Sequence, residues 1–542
     1  MSPYKLFSWI INIIVRIFFN FLGYFAAITT IFAPLAQRKI VATPSSDLLK
    51  ISAKQLAEKI RNKEIKCVDI VEAYINCIKY VNPLVNSVVQ DRFDEALKEA
   101  GQVDRLIEET DDVGRLAREK PLLGIPLSVK ETIAVKGMSN NSARSRIRSH
   151  IAEQDAECIA LLREAGAIPL VVTNTPELCL YLETYNPIYG KTNNPYDTRR
   201  TSAGSSGGEA ALLGAGASVI SVGSDIAGSL RLPAMFCGVF SHKPTPGFVP
   251  NNGHIPTSKD PKWDYYFTIG PLARYAEDLS VMLRCMIPPR NHAETLCLEE
   301  DVDIKNIKIY YMYGEGRESI LQDEPNFQMK KALKTAVNIL SNQFSCATTK
   351  VDLSCFRNSF AFARLILQVK GIENVFQRND ENPDDYGALR MLEMLWKKLT
   401  FQTNASISSV LFGPLQCLIQ LAPKEMKERL EKHVKHTKNK VVELLGEDGV
   451  LIYPTFSCEA QYHNKMCGQI TNISYCLIFN ALGLPVTQCQ IGYTREGLPV
   501  GVQIVAAPKM DRLSLAVAQA LSSATGGWHP PQVAQLLDKQ SS

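Results

Sequence analysis

The 542-residue chain is 46% hydrophobic and 21% charged, the usage of a folded body able to bury a large core, which sets intrinsic disorder aside. Its formal charge of +4 is close to balance for this length, and no basic stripe interleaved with aromatics marks a nucleic-acid footprint. The 14 cysteines are scattered without a C-x-x-C pair or zinc-type spacing, so buried free thiols are expected and no metal site is implied.

At the N-terminus, residues 6 to 36 carry a single charge, Arg16, and Ile17 to Ala36 carry none. That run has about the length a helix needs to cross a bilayer. It exceeds a usual signal-peptide core, and APLA before Gln37 is not an A-x-A cleavage site, so the expectation is a retained single-pass anchor, in an endomembrane by preference. Lys5 and Arg16 on one side nearly cancel Arg38 and Lys39 on the other, leaving orientation undecided. Sequons at Asn140, Asn404 and Asn472 would matter only for a luminal body.

A polar link, Thr43 to Asp47, leads into helical spacing at Ala53 to Arg61 and Val68 to Tyr80. From Leu122 the pattern changes to short apolar runs, IPLSV (125 to 129), AIPLVVT (167 to 173), SVISVG (218 to 223), VLIYP (450 to 454) and VQIVA (502 to 506), separated by helical stretches. Such alternation predicts an α/β fold with a large mixed or parallel central sheet covered by helices on both faces. The expected division is an anchor and flank over 1–40, a helical lead-in over 41–121 and one body over 122–535. Within that body, about 300–445 is read as helical elaboration, and Lys424 to Leu445 as a solvated helix capped by Gly446.

Glycine and serine crowd two places, Gly204-Ser205-Ser206-Gly207-Gly208 before a helical run from Glu209 to Gly216, and Asp225-Ile226-Ala227-Gly228-Ser229 after the run SVISVG. A glycine-rich loop before a helix can cradle phosphate, but neither a G-x-x-x-x-G-K pattern nor a dinucleotide fingerprint supports that, and no cofactor is implied. Either cluster alone would be an ordinary tight turn. Together, with GIPLSVKE upstream (Gly124 to Glu131), GSSGG (Gly204 to Gly208) and GSDIAGSLRLP (Gly223 to Pro233) resemble the amidase-signature family. The resemblance continues through HKPTPG (242 to 247), GPLAR (270 to 274) and GLPVGVQIVA (497 to 506). It is strongest to the membrane-anchored fatty-acid amide hydrolases of the second vertebrate type and their invertebrate relatives. The anchor, PELCLYLE (176 to 183), YGKTNNPYD (189 to 197) and ALGLPVTQC (481 to 489) carry that closer likeness.

The resemblance implies an amidase-signature catalytic body with Ser229 as nucleophile, Ser205 as bridging serine and Lys130 as base. Backbone N–H groups of Ile226, Ala227, Gly228 and Ser229 would form the oxyanion hole. A serine hydroxyl attacks only when a base removes its proton, and an amine can take that proton only when neutral, the form burial favours. Lys130 follows the apolar run IPLSV, as burial requires. Ser205 would carry the proton onward and later return one to the leaving amine. Histidine is then unnecessary; of eight, only His242 lies near the motif, and no G-x-S-x-G elbow is present.

Ala203 and Ala227 stand where relatives usually have glycine, and at positive φ either would add strain of about 1–2 kcal/mol. Asp225 and Arg231 could touch substrate, but each is read first as making a structural salt bridge or turn hydrogen bond, and Ser206 and Ser224 are read as loop support. The apolar segment Ile407 to Ala422 corresponds to a region that, in the lipid-amide hydrolases, caps the site and admits acyl chains; by composition it equally suits a buried helix. The implied partners are a lipid amide substrate and a membrane, with a homodimer left open. Other small-amide hydrolysis, a glutaminase subunit of a tRNA-dependent amidotransferase and a silent relative that binds lipid or protein remain alternatives.

Overall fold

A computed structural model describes residues 35–42, 46–110, 112–144, 150–315, 319–372, 388–400, 402–406, 408–410, 412 and 423–537, with single positions between 13 and 24. Most of the expected anchor and most of the segment 407–422 lie outside the described residues. No described helix is long and apolar enough to cross a membrane.

The lead-in forms α1 (Ala53–Arg61) and α2 (Cys67–Val85). Helix α1 begins where Ser52 Oγ accepts from Gln55 N, and Ala53, Leu56, Ala57 and Ile60 make its buried stripe at helical spacing. Asp278, 225 residues further on, accepts from Ala53 N at 2.9 Å and ties this helix to the body.

The body is built on one sheet of eleven strands. They are β1 (Val88–Asp91), β2 (Pro126–Lys130), β3 (Ile168–Thr173), β4 (Ile220–Asp225), β5 (Phe240–Lys243), β6 (Thr268–Ala273), β7 (Lys308–Tyr311), β8 (Thr348–Lys350), β9 (Gly449–Pro454), β10 (Val486–Tyr493) and β11 (Pro499–Ala506). Their spatial order is β1-β3-β2-β4-β6-β5-β10-β11-β9-β7-β8. Strands β3, β2 and β4 run parallel, β4 to β9 pair antiparallel through the middle, and β9, β7 and β8 are parallel again, so the sheet is mixed. Every residue of β2, β3, β4, β9 and β11 is buried, which requires cover on both faces and explains why these strands read as unbroken apolar runs.

One departure from the sequence reading concerns the stretch about 300–445. It is not only helical: β7, the helix α3 (Phe327–Asn342) and β8 form a βαβ unit that extends the sheet at one edge. The charged helix α4 (Lys424–Leu445) has the expected bounds, with Gly446 at φ 54 after its last turn. Asn140 and Asn472 are 3% and 0% exposed, so neither sequon presents its side chain. All cysteines among the described residues are free thiols, and eight of them are buried.

Candidate active site

Parallel β2 and β4 are neighbours, so Lys130, the last residue of β2, and Ser224 and Asp225, the last of β4, come out at one edge of the sheet. The crevice beyond the carboxyl ends of parallel strands is where α/β sheets place their sites. Lys130 is fully buried, and its Nζ lies 2.7 Å from Ser205 Oγ and 3.0 Å from Ser224 Oγ.

Ser205 is held by a loop that only small residues can build. The Gly204–Ser205 peptide is cis, and Thr175 Oγ1 donates to Ser205 O at 3.2 Å. After Ser206 the chain enters a buried helix, α5 by our numbering (Gly207–Gly214). A Cβ on Gly208 would sit 2.6 Å from Asn174 O, so the helix start can lie against the end of β3 only as glycine. Of the two alanines in glycine places, Ala203 does adopt φ 61 and carries the expected strain, whereas Ala227 is not among the residues at positive φ.

Ser229 sits on the turn that follows β4. Asp225 organises this turn: Oδ1 accepts from Gly228 N at 2.7 Å and Oδ2 from Leu230 N at 3.1 Å. Arg231 closes on the same carboxylate through Nε at 3.1 Å and Nη2 at 3.0 Å, with both side chains at 0% exposure. It also donates to Cys476 O, Gln503 Oε1 and Asn480 Oδ1, which fastens the turn to helix α6 (Ser474–Leu482) and to β11. Burial alone would raise Asp225, but the guanidinium beside it outweighs this and holds the carboxyl at about 2. The two clusters meet where Ser206 N donates to Ser229 O at 3.2 Å.

Ile226, Ala227 and Ser229 are partly exposed amid buried neighbours, which places the opening of the site at this turn. The Gly228 N–H, one of the four backbone donors expected to face an oxyanion, is instead engaged by Asp225. No hydrogen bond joins the hydroxyls of Ser205 and Ser229; the clusters touch through backbone.

Two buried carboxyls flank Lys130. Burial pushes Glu209 up to about 8 against the opposing pull of Lys130, and its Oε1 accepts from Thr173 Oγ1. Burial likewise pushes Glu131 up to about 7 against the bonds from Ser139 and Asn141. Near neutral pH Glu209 therefore tends to hold its proton, whereas Glu131 titrates in that range. His242, the histidine nearest the motif, lies in a separate buried network with Asp511 at 3.0 Å and Thr487 at 2.8 Å. Among the described residues no group of side chains could hold a metal ion.

The Amidase family model matches residues 69–515. The chain belongs to the amidase family. It is 39% identical to human fatty-acid amide hydrolase 2, over 89% of this chain and 91% of that one. It is 41% identical to zebrafish (Danio rerio) fatty-acid amide hydrolase 2-A, over 92% and 94%. Among solved structures, a fatty acid amide hydrolase superposes with a TM-score of 0.73 at 20% identity, covering 93% of this chain and 89% of that one, a likeness of fold. As a member of this family the chain is an amide-cleaving hydrolase.

Two residues at the site escaped the sequence reading. Ser224, taken as loop support, touches Lys130, and His254 touches Ser224 in turn, Nε2 to Oγ at 3.0 Å. His254 lies outside the glycine-serine clusters, so no motif spacing signals it.

Proposed function

We propose that this amidase hydrolyses amides of long-chain fatty acids, with Ser229 as nucleophile, Ser205 as bridge and Lys130 as base. The observation that carries the reading is the fully buried Lys130 amine at 2.7 Å from Ser205 Oγ, on the loop that contacts the Ser229 backbone. In the acylation step Ser229 Oγ bonds to the amide carbon while its proton passes to Ser205 and the Ser205 proton passes to Lys130. The carbonyl electron pair moves onto oxygen, opposite the N–H groups of Ile226, Ala227 and Ser229. Collapse of the tetrahedral species breaks the C–N bond, and Ser205 protonates the departing amine with a proton replaced from Lys130. Water then releases the fatty acid from Ser229 by the same relay.

Likeness to the fatty-acid amide hydrolase 2 relatives over most of both chains supports the lipid substrate. The charge-free run Ile17 to Ala36 would hold the enzyme at a membrane where such amides reside. The test uses the full chain in detergent, with primary amides and N-acylethanolamines of long acyl chains set against short amides and glutamine. Long-chain turnover, with a fluorophosphonate probe labelling the parent but not Ser229→Ala, is the expected result. Preference for glutamine or short amides would overturn the lipid reading, and labelling that survives Ser229→Ala would overturn the nucleophile. Lys130→Ala should lower amide turnover by about 10⁴-fold or more, because members of such a triad act as a unit.

A further inference from the structure

Behind Lys130 a line of hydrogen bonds runs away from the bridging serine. Its far end fixes its direction. His254 Nδ1 is 2.8 Å from the carbonyl oxygen of Pro256, an atom that can only accept, so Nδ1 carries the ring proton. The ring is 2% exposed and packs on Phe267 with centroids 4.5 Å apart. In an imidazole whose one ring proton sits on Nδ1, Nε2 offers only a lone pair. Two hydroxyls converge on that nitrogen, Thr132 Oγ1 at 2.9 Å and Ser224 Oγ at 3.0 Å, and either can only donate to the one lone pair there. The loop bearing His254 is itself pinned beside β2, since Ile255 N donates to Thr132 O at 2.8 Å.

With its proton committed to His254, Ser224 Oγ can only accept from the Lys130 amine 3.0 Å away. A neutral amine has two N–H bonds and one lone pair. Giving one N–H to Ser224 fixes one arm of the amine and leaves the lone pair free to face Ser205 Oγ at 2.7 Å, where the proton must arrive. Were Ser224 free to reverse, its O–H would point at that lone pair and compete with Ser205 for it.

We infer that His254 is a positioning residue for catalysis, acting through Ser224 to aim the lone pair of Lys130 at Ser205. The inference rests on Lys130 being the base. It assigns a role to a histidine that makes no contact with substrate and takes no part in proton transfer.

The test compares two amides at position 254 in the full-length enzyme. In His254→Gln the side-chain oxygen reaches the place of Nε2 and can accept from Ser224. In His254→Asn the shorter amide can still donate to Pro256 O but leaves Ser224 without its acceptor. Against a long-chain amide, His254→Asn should lose about ten- to hundredfold in kcat, part of the ~10²–10⁴ that a positioned base contributes, with KM unchanged. Ester turnover should fall less, since an alkoxide leaves with little proton delivery. His254→Gln should stay within about threefold of the parent on the same scale. Equal impairment of the two variants, or a His254→Asn enzyme with parental kcat, overturns the inference. Should His254→Asn fail to fold, Ser224→Ala removes the relay itself, and parental amide turnover in that variant overturns it instead. Lys130→Ala is assayed alongside. If it retains amide turnover the underlying base assignment fails, whereas an inactive Lys130→Ala beside a normal His254→Asn confines the failure to His254.

Discussion

Gly228 carries two demands that no other residue type meets. Its φ is 116, and a Cβ there would lie 2.5 Å from Cys476 Cβ, so an alanine must displace the turn that presents Ser229. Gly228→Ala is expected to cut kcat by about a hundredfold or more, the scale on which loss of an oxyanion donor is felt, and Cys476→Gly in the same chain should restore part of it by clearing the contact. Steady-state kinetics of the single and double variants measure this. Glu209 makes a different prediction. Its folded-state value of about 8 lies above the ordinary carboxyl range near 4.3, so the stability it contributes is fully present below about pH 4 and is lost as pH rises through about 8. Glu209→Gln should therefore melt close to the parent at pH 4 and increasingly above it toward pH 8, by thermal denaturation at each pH; a constant difference would refute the assignment. At this scale the sequence singled out Lys130, Ser205 and Ser229 as candidates because each lies in a local motif, GIPLSVKE or a glycine-serine cluster. It could not show that Ser224 meets Lys130 and His254, because those contacts span 94 and 30 residues of chain.

The turn from Asp225 to Arg231 behaves as one element, since the carboxylate holds two backbone N–H groups and the guanidinium reaches α6 and β11. Asp225→Asn leaves a buried arginine without its counter-charge, and a loss of about 3–5 kcal/mol is expected, together with loss of fluorophosphonate labelling at temperatures where the variant is still folded. Chemical denaturation and labelling of the same preparation check both. In the parent this latch persists to low pH: with the carboxyl held at about 2, its contribution is present above the ordinary range near 3.9 and lost only as pH falls through 2. Strands IPLSV, AIPLVVT and VQIVA were legible because burial on both faces leaves only apolar residues. Strands β7 and β8 were not, since KIYY and TTK are short, partly exposed segments near one edge of the sheet with no unbroken apolar run.

Across the molecule, the sequence indicated that late strands complete the core, since VLIYP and VQIVA recur far downstream, but it did not show where they insert. Strands β10 and β11 lie mid-sheet, between β5 and β9, and one hydrophobic cluster continues from Val41 to Trp528. A chain ended at residue 445 should accordingly be insoluble or lack a cooperative melting transition, and a soluble, cooperatively melting fragment would show that the part before residue 446 folds alone. The same placement bears on how the protein is made. β5 is synthesised early, yet its second neighbour is β10, so roughly 220 residues must be added after β6 before that pairing can form, about 10–45 s at ordinary elongation rates. Throughout that interval the nascent chain carries an open strand edge, a template on which another chain can pair before β10 arrives.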